Sequence, residues 1–401
     1  MHLSQRQLFL QHVAQTSPAP MMLEIDHAEG IYLTDTSGKK YIDFISGISV
    51  SNVGHRHPQV LKAIHEQLDR YMHLIVYGEF VQSPQVNLAT RLASVLPGDI
   101  DSVYFVNSGT EAVEGAIKLA RRATGRKKIF SFKNAYHGST TGALSLMSSE
   151  YFTDAFKPLL PEVFHLNPGD YRGLECIDET TAAVVVEIIR GEAGAEEVEG
   201  EFLKALKQRC EETGTFFIAD EIQTGFGRTG KLFACEHHGI IPDIITMAKG
   251  MGGGMPIGAF AAKKEVMQTL TAEPVLGHIT TFGGHPVSCA AALASLEVIL
   301  AIPLEEKVAK FEGIIRQKLQ HPLLQKITGK GLLLSGVLGS EAINFKFIAN
   351  CIKNGIITDW FLFASDRFRM APPLTITEEE LNRSIDLLIK ALDETAAELN
   401  H

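Results

Sequence analysis

Thr215-Phe-Phe-Ile-Ala-Asp-Glu-Ile-Gln-Thr-Gly225 and Asp243-Ile-Ile-Thr-Met-Ala-Lys-Gly-Met-Gly-Gly-Gly254 are built alike. Each opens on a short apolar run, Thr215–Ala219 and Asp243–Ala248, and passes directly into a polar or glycine-rich turn. Runs of this length without strict alternation predict strands buried on both faces. Ser102–Val106, Ile129–Phe132, Ala182–Ile188 and Gly258–Ala262 share that character. Helical patterns over Thr110–Ala123 and Gly200–Glu212 separate several of them. Alternating strands and helices predict an α/β fold, a central mostly parallel sheet flanked by helices.

Outside this region the pattern changes. Residues 1–50 form an N-terminal segment with Pro, Gly, short strands around Gly30–Leu33 and a hairpin turn at Gly38. Residues 51–300 read as the large domain. Residues 301–401 read as a smaller α+β domain that the N-terminal segment joins. They hold a helix after Glu305, a strand at Leu332–Leu338, a helix at Phe345–Lys353 and a final helix opened by a capping box, Thr377 to Glu380.

Composition narrows the function. The chain of 401 residues is 45% hydrophobic with a net charge of −10, so it lacks the basic face that nucleic-acid binding needs. Its five cysteines are scattered without CxxC spacing, which argues against zinc or a disulfide framework and for a reducing compartment. Met1–Gln15 has no signal-peptide pattern, and the apolar runs are strand-sized. A cytoplasmic protein with no membrane partner is expected.

In such sheets ligands sit beyond the carboxyl ends of the strands. Asn107-Ser-Gly-Thr-Glu-Ala112 follows one strand and opens a helix, whose free N–H groups and dipole suit a phosphate. An ordinary Ser/Thr helix cap reads the same way. Asp220 ends a second strand, where a carboxylate can keep a pyridinium nitrogen protonated, or simply face solvent. Lys249 ends a third, and a desolvated lysine has a lowered pKa and acts as nucleophile and base. The alternative is a lysine in a flexible glycine loop. Phosphate cradle, ring carboxylate and Schiff-base lysine, in that order at three strand ends, form a coherent set.

Phe217-Ile-Ala-Asp-Glu-Ile-Gln-Thr-Gly-Phe-Gly-Arg-Thr-Gly-Lys231 with Pro242-Asp-Ile-Ile-Thr-Met-Ala-Lys-Gly250 resembles the signature of class III aminotransferases. These are pyridoxal-phosphate enzymes of fold type I. Gly54-His-Arg-His-Pro58, Tyr136-His-Gly138, Thr281-Phe-Gly-Gly284 and Ala371-Pro-Pro-Leu374 extend the resemblance over nearly the whole chain. It implies that Lys249 carries pyridoxal 5'-phosphate as a Schiff base and that Asp220 pairs with the ring nitrogen. It places Gln223 at the phenolic oxygen, and Ile222 and Tyr136 on the two ring faces, with His137 beside them. Ser108, Gly109 and Thr110 hold the phosphate, and Glu187 lies behind the ring. Thr281 reaches the neighbouring subunit's cofactor, which implies a homodimer with shared active sites. The reaction implied is ping-pong transfer from an amino acid or ω-amino donor to a keto acid such as 2-oxoglutarate. An aminomutase or racemase on the same fold, or a non-catalytic cofactor-binding regulator, are the competing readings.

Two motifs are set aside. Gly225-Phe-Gly-Arg-Thr-Gly230 matches a dinucleotide fingerprint, but no helical pattern begins there. His55, His57, His237 and His238 lack partners at metal-ligand spacing, so no metal is expected. In many relatives an arginine follows the Tyr-His-Gly stretch; here Ser139 does. The other substrate arginine of the family corresponds to Arg369, and its carboxylate partner to Glu192. Arg190 either supplies the missing cation or forms an ion pair elsewhere.

Overall fold

The computed structural model describes residues 3–399. Its centre is a seven-stranded sheet. The strands lie in the order Ser102–Val106, Gly258–Ala262, Ile244–Met247, Phe216–Asp220, Thr181–Val186, Lys128–Phe132, Val163–Leu166. Only Gly258–Ala262 runs against its two neighbours; the other pairings are parallel. Thr181–Val186, Ile244–Met247 and Gly258–Ala262 are buried at every residue, which explains why these runs do not alternate. With both faces covered, register is strongly specified. Ala219 pairs with Ile245 and Asp220 with Thr246, so Asp220 and Lys249 leave the sheet at one edge.

The predicted strands fall within a residue or two of those observed. Several elements lie outside the sequence reading, among them the following. The strand Val163–Leu166 adds an edge to the sheet. The helix Pro286–Leu300 is apolar almost all round and largely buried, so it shows no amphipathic period. The strand Ala364–Met370 reads as polar because Asp366, Arg367 and Arg369 sit in ion pairs. A short helix, Gln5–His12, opens the chain on a capping box at Ser4.

The helix Gly109–Thr124 buries Ala112, Val113, Ala116, Ile117 and Ala120 against the sheet. Ser108 caps its start by accepting from the Glu111 N–H, and Gly125, at φ 70°, ends it. At the other end of the chain, Lys326–Lys330, Leu333–Val337, Ala364–Met370 and Trp360–Phe361 form a four-stranded sheet. The strand Lys40–Asp43 pairs in parallel with Ile356–Ile357, which joins the N-terminal strands to the C-terminal part. Thr377 and Glu380 bond reciprocally before the last helix, Glu378–Leu399. Among the described residues no single helix is long and apolar enough to cross a membrane, and no cluster of His, Cys, Asp and Glu is placed to hold a metal.

Candidate active site

The carboxyl ends of the strands open into a cavity of about 500 Å³. Ser108, Gly109 and Thr110 line one side, at the start of a 16-residue helix whose first N–H groups point outward. Ser108 therefore caps the helix and also lines the cavity. Gly109 is tightly placed: a Cβ there would come within 3.0 Å of Ile222.

Asp220, Ile222 and Gln223 line the cavity floor with Lys249. Asp220 Oδ2 is 2.6 Å from His137 Nδ1, and its Oδ1 accepts from the Ile222 N–H. Burial alone would lower the His137 pKa; the hydrogen bond and charge of Asp220, with Glu187, outweigh it and raise it. His137 thus braces the carboxylate from behind. Lys249 is half-buried at a left-handed φ of 45°, a conformation costly for a residue with a side chain. Burial lowers its pKa, assisted by Arg369 and opposed by Glu192, Asp220 and Glu187. Glu187 accepts from the Tyr136 and Gly191 N–H groups, and burial lifts its pKa to about 7.

The opposite wall has a different construction. Glu192 lines the cavity, and behind it Arg369 is 1% exposed. The two form a bidentate pair at 3.0 and 3.2 Å. Arg369 Nε donates to Asp359 at 2.9 Å, Nη2 also donates to the Trp360 carbonyl, and the guanidinium lies 4.3 Å from the Phe361 ring centroid. Glu192 Oε2 accepts in turn from the Leu362 N–H. Burial pushes the Arg369 pKa down, but Asp359 and Glu192 outweigh it and raise it well above the usual value. Burial pushes Glu192 up, but Arg369 outweighs it and lowers it.

The other sequence-derived residues are placed as follows. Tyr136 and His137 line the cavity, and Tyr136 Oη is 3.2 Å from Ser139 Oγ. Arg190 does not line it; its Nη1 donates to the Lys133 carbonyl and its Nε is buried without a partner. Thr281 is exposed and lies outside the cavity of its own chain. Sequence reasoning missed Val50, Met255, Pro256 and Ile257, which close the cavity, and Asp359, which holds Arg369. Only the spatial pairing of Trp360–Phe361 with Ala364–Met370 brings Asp359 to Arg369.

These residues fit pyridoxal phosphate on the structure's own terms. Gln223 lines the cavity and its Nε2 is buried with no partner, a donor left over for an oxygen of a bound group. Asp220 keeps acceptor capacity after its two hydrogen bonds. The helix start offers N–H groups for a phosphate.

Known proteins resemble the chain throughout. It matches the family model described as aminotransferase class-III over residues 13–392. An acetylornithine aminotransferase of Archaeoglobus fulgidus is 40% identical over 379 residues, 94% of this chain and 97% of that protein. Another, of Methanopyrus kandleri, is 39% identical over 370 residues, covering 91% and 92%. A solved ornithine aminotransferase from Toxoplasma gondii, with partial occupancy of PLP at its active site, aligns at a TM-score of 0.90 and 30% identity. That match covers 98% of this chain and 94% of that one.

Proposed function

The chain belongs to the class III aminotransferase family and is a pyridoxal-phosphate-dependent aminotransferase, and from that premise we propose that it moves an amino group from an ω-amino donor to a keto acid such as 2-oxoglutarate, by a ping-pong route. The observation that carries this reading is the buried Arg369–Glu192 pair in the wall of the cavity that holds Lys249. An amine lacking a carboxylate beside its reacting carbon leaves the pair closed and neutral. A keto acid brings its own carboxylate, which replaces Glu192 on the guanidinium fork, so neither half-reaction leaves a bare buried charge.

In this reading Lys249 would carry the cofactor, Ser108, Gly109 and Thr110 would hold its phosphate, and Gln223 would donate to its phenolic oxygen. Ile222 and Tyr136 would flank the ring. The cofactor supplies an electron sink for the pair released when the donor's C–H bond breaks. Asp220, braced by His137, keeps the ring nitrogen protonated. Lys249 Nζ, its pKa lowered by burial, accepts and returns the proton of the donor's amine-bearing carbon. Val50, Met255 and Ile257 keep water from these atoms.

The donor named for the acetylornithine relatives is one candidate, and the Tyr136–Ser139 hydroxyls stand at the cavity wall in place of a cation. A homodimer with shared sites is supported by the surface around Thr281. Phe282 and Ile279 beside it in sequence are exposed, as is Met72 next to His73 on the facing segment, and exposed apolar side chains of this kind call for cover. His73 ties the two segments together, its Nε2 2.9 Å from the Thr281 carbonyl and its ring tilted against Phe282. Free cysteines support a cytoplasmic setting.

Arg369→Lys tests the reading, because lysine keeps a cation for Glu192 and Asp359 but loses the fork. Single-turnover kinetics should show the keto-acid half-reaction weakened by about 10²-fold, as expected when a charged hydrogen-bond pair worth roughly 1.5–3 kcal/mol is lost. The amine half-reaction should be nearly unchanged. Equal losses in both halves would make Arg369 a structural group.

A further inference from the structure

Gly225-Phe-Gly-Arg-Thr-Gly230 continues directly from the cofactor-site residues Asp220, Ile222 and Gln223. It folds as successive turns with left-handed backbone at Phe226 (φ 57°), Gly227 (φ 87°) and Gly230 (φ 98°). The bend turns Arg228 inward until it is 0% exposed. No carboxylate forms an ion pair with it among the described residues; Asp43 acts only through its charge at longer range. Burial drives its pKa down to about 9. An apolar side chain would fill the same space without that cost. What arginine adds is directed N–H groups.

Those groups reach three separate segments. Nη1 donates to the Leu332 carbonyl at 3.1 Å and to the Pro372 carbonyl, and Nη2 donates to Asn52 Oδ1. The Leu332 N–H donates back to the Arg228 carbonyl at 2.9 Å. Leu332 directly precedes the strand Leu333–Val337, in which Ser335 pairs with Arg369. Pro372 lies just beyond Arg369 on the neighbouring strand. The Asn52 side-chain amide donates to the Phe226 carbonyl at 3.1 Å, and the Asn52 backbone carbonyl accepts from the Leu374 N–H at 2.7 Å. Its side chain also packs on Gly250, where a Cβ would come within 2.3 Å of Asn52 Nδ2. Gly250 is the residue next to Lys249. A continuous set of contacts therefore runs from Lys249 through Gly250, Asn52 and Arg228 to the two strands that carry Arg369.

We infer that Arg228, with Asn52, is a positioning residue that sets where the Arg369 guanidinium stands relative to Lys249 and Asp220, and so governs keto-acid binding without touching the substrate. The inference rests on the assignment of the keto-acid carboxylate to Arg369. The single loop 220–230 then serves both ends of the site. Its first residues face the cofactor, and Arg228 holds the strands that present the carboxylate fork.

The test uses the cofactor-loaded protein with Arg228→Lys and Asn52→Ala, and Arg369→Lys as control. Glutarate, an unreactive dicarboxylate, is titrated by calorimetry, and both half-reactions are followed. Both positioning variants should weaken glutarate and raise the keto-acid KM by about tenfold or more, the scale expected when a binding group is displaced by a fraction of an ångström. The kcat, the amine half-reaction and cofactor retention should stay within about twofold, as for sites that do not couple. A space-filling role would lower Tm without this split. Unchanged glutarate affinity in a folded variant, or equal losses in both half-reactions, overturns the inference. If Arg228→Lys does not fold, Asn52→Ala decides alone. If Arg369→Lys leaves glutarate binding intact, the keto-acid assignment itself fails and this inference falls with it. If only the control weakens glutarate, the keto-acid assignment stands and the positioning role of Arg228 and Asn52 is overturned.

Discussion

Lys249 and Arg369 are cations on opposite walls of one site, and burial acts on both in the same direction. At the cofactor wall, the chemical groups leave strand ends and a helix start of one sheet. Lys249 has carboxylates in its surroundings, yet burial prevails and its pKa falls. At the carboxylate wall, Asp359 and Glu192 bond directly to Arg369 from two different parts of the chain, and the pKa rises. Two carboxylates in direct contact with Arg369 outweigh desolvation by their charge and then by their hydrogen bonds, whereas the carboxylates around Lys249, none of them in an ion pair with it, do not. In the proposed reaction the first wall would supply a group that exchanges protons, and the second one that keeps its charge and exchanges partners.

Lys249→Ala should break the first wall completely. Cofactor should still bind through Ser108–Thr110 and Gln223, while amino transfer in both directions is lost. Borohydride reduction of the wild-type protein followed by peptide mapping should mark Lys249. A label on any other lysine would sink the assignment.

Asp220→Asn is the next largest effect. The amide can still accept from Ile222 but carries no charge for His137 or the ring nitrogen. The proton-transfer rate should fall by at least about 10²-fold, the scale of removing a preorganised electrostatic group. Both half-reactions should suffer alike, in contrast to Arg369→Lys. A loss confined to the keto-acid half would erase the distinction between the walls.

That distinction also divides what was legible in the sequence. Asp220, Lys249 and Ser108 follow apolar runs directly, so a strand pattern suffices to put them on one edge. Family resemblance supplied Arg369 and Glu192, but the residues that make the pair work were silent. Asp359 and the Leu362 N–H reach it only through the fold of the Trp360–Met370 hairpin, whose polar strand does not read as one. Arg190 shows the converse: the sequence left it as a substrate cation or as an ion pair elsewhere, and its guanidinium turns instead to the Lys133 carbonyl. Gly225–Gly230 looked like a failed nucleotide loop because its partners, Leu332 and Pro372, lie more than a hundred residues away.

The smallest expected effect compares two buried glutamates. Burial raises Glu187 to about 7, with Asp220 adding to the shift and His137 opposing it. Between the ordinary carboxylate value and 7, the folded protein holds a proton there that the unfolded chain has released. Stability from Glu187 is therefore full at low pH and is lost as pH rises through that window, by up to about 3 kcal/mol. Glu192 has the opposite sign, because Arg369 overcomes burial and lowers it. Its contribution is present above the ordinary carboxylate value and is lost as pH falls below it. Urea unfolding of cofactor-free wild type, Glu187→Gln and Glu192→Gln, followed from pH 4 to 8, separates the two. Relative to wild type, Glu187→Gln should gain stability as pH rises toward 7. Glu192→Gln should lose relative stability as pH rises from 4, because only wild type gains the ion pair. Parallel pH profiles for the two variants would show that the guanidinium at one wall does not reverse the effect of burial.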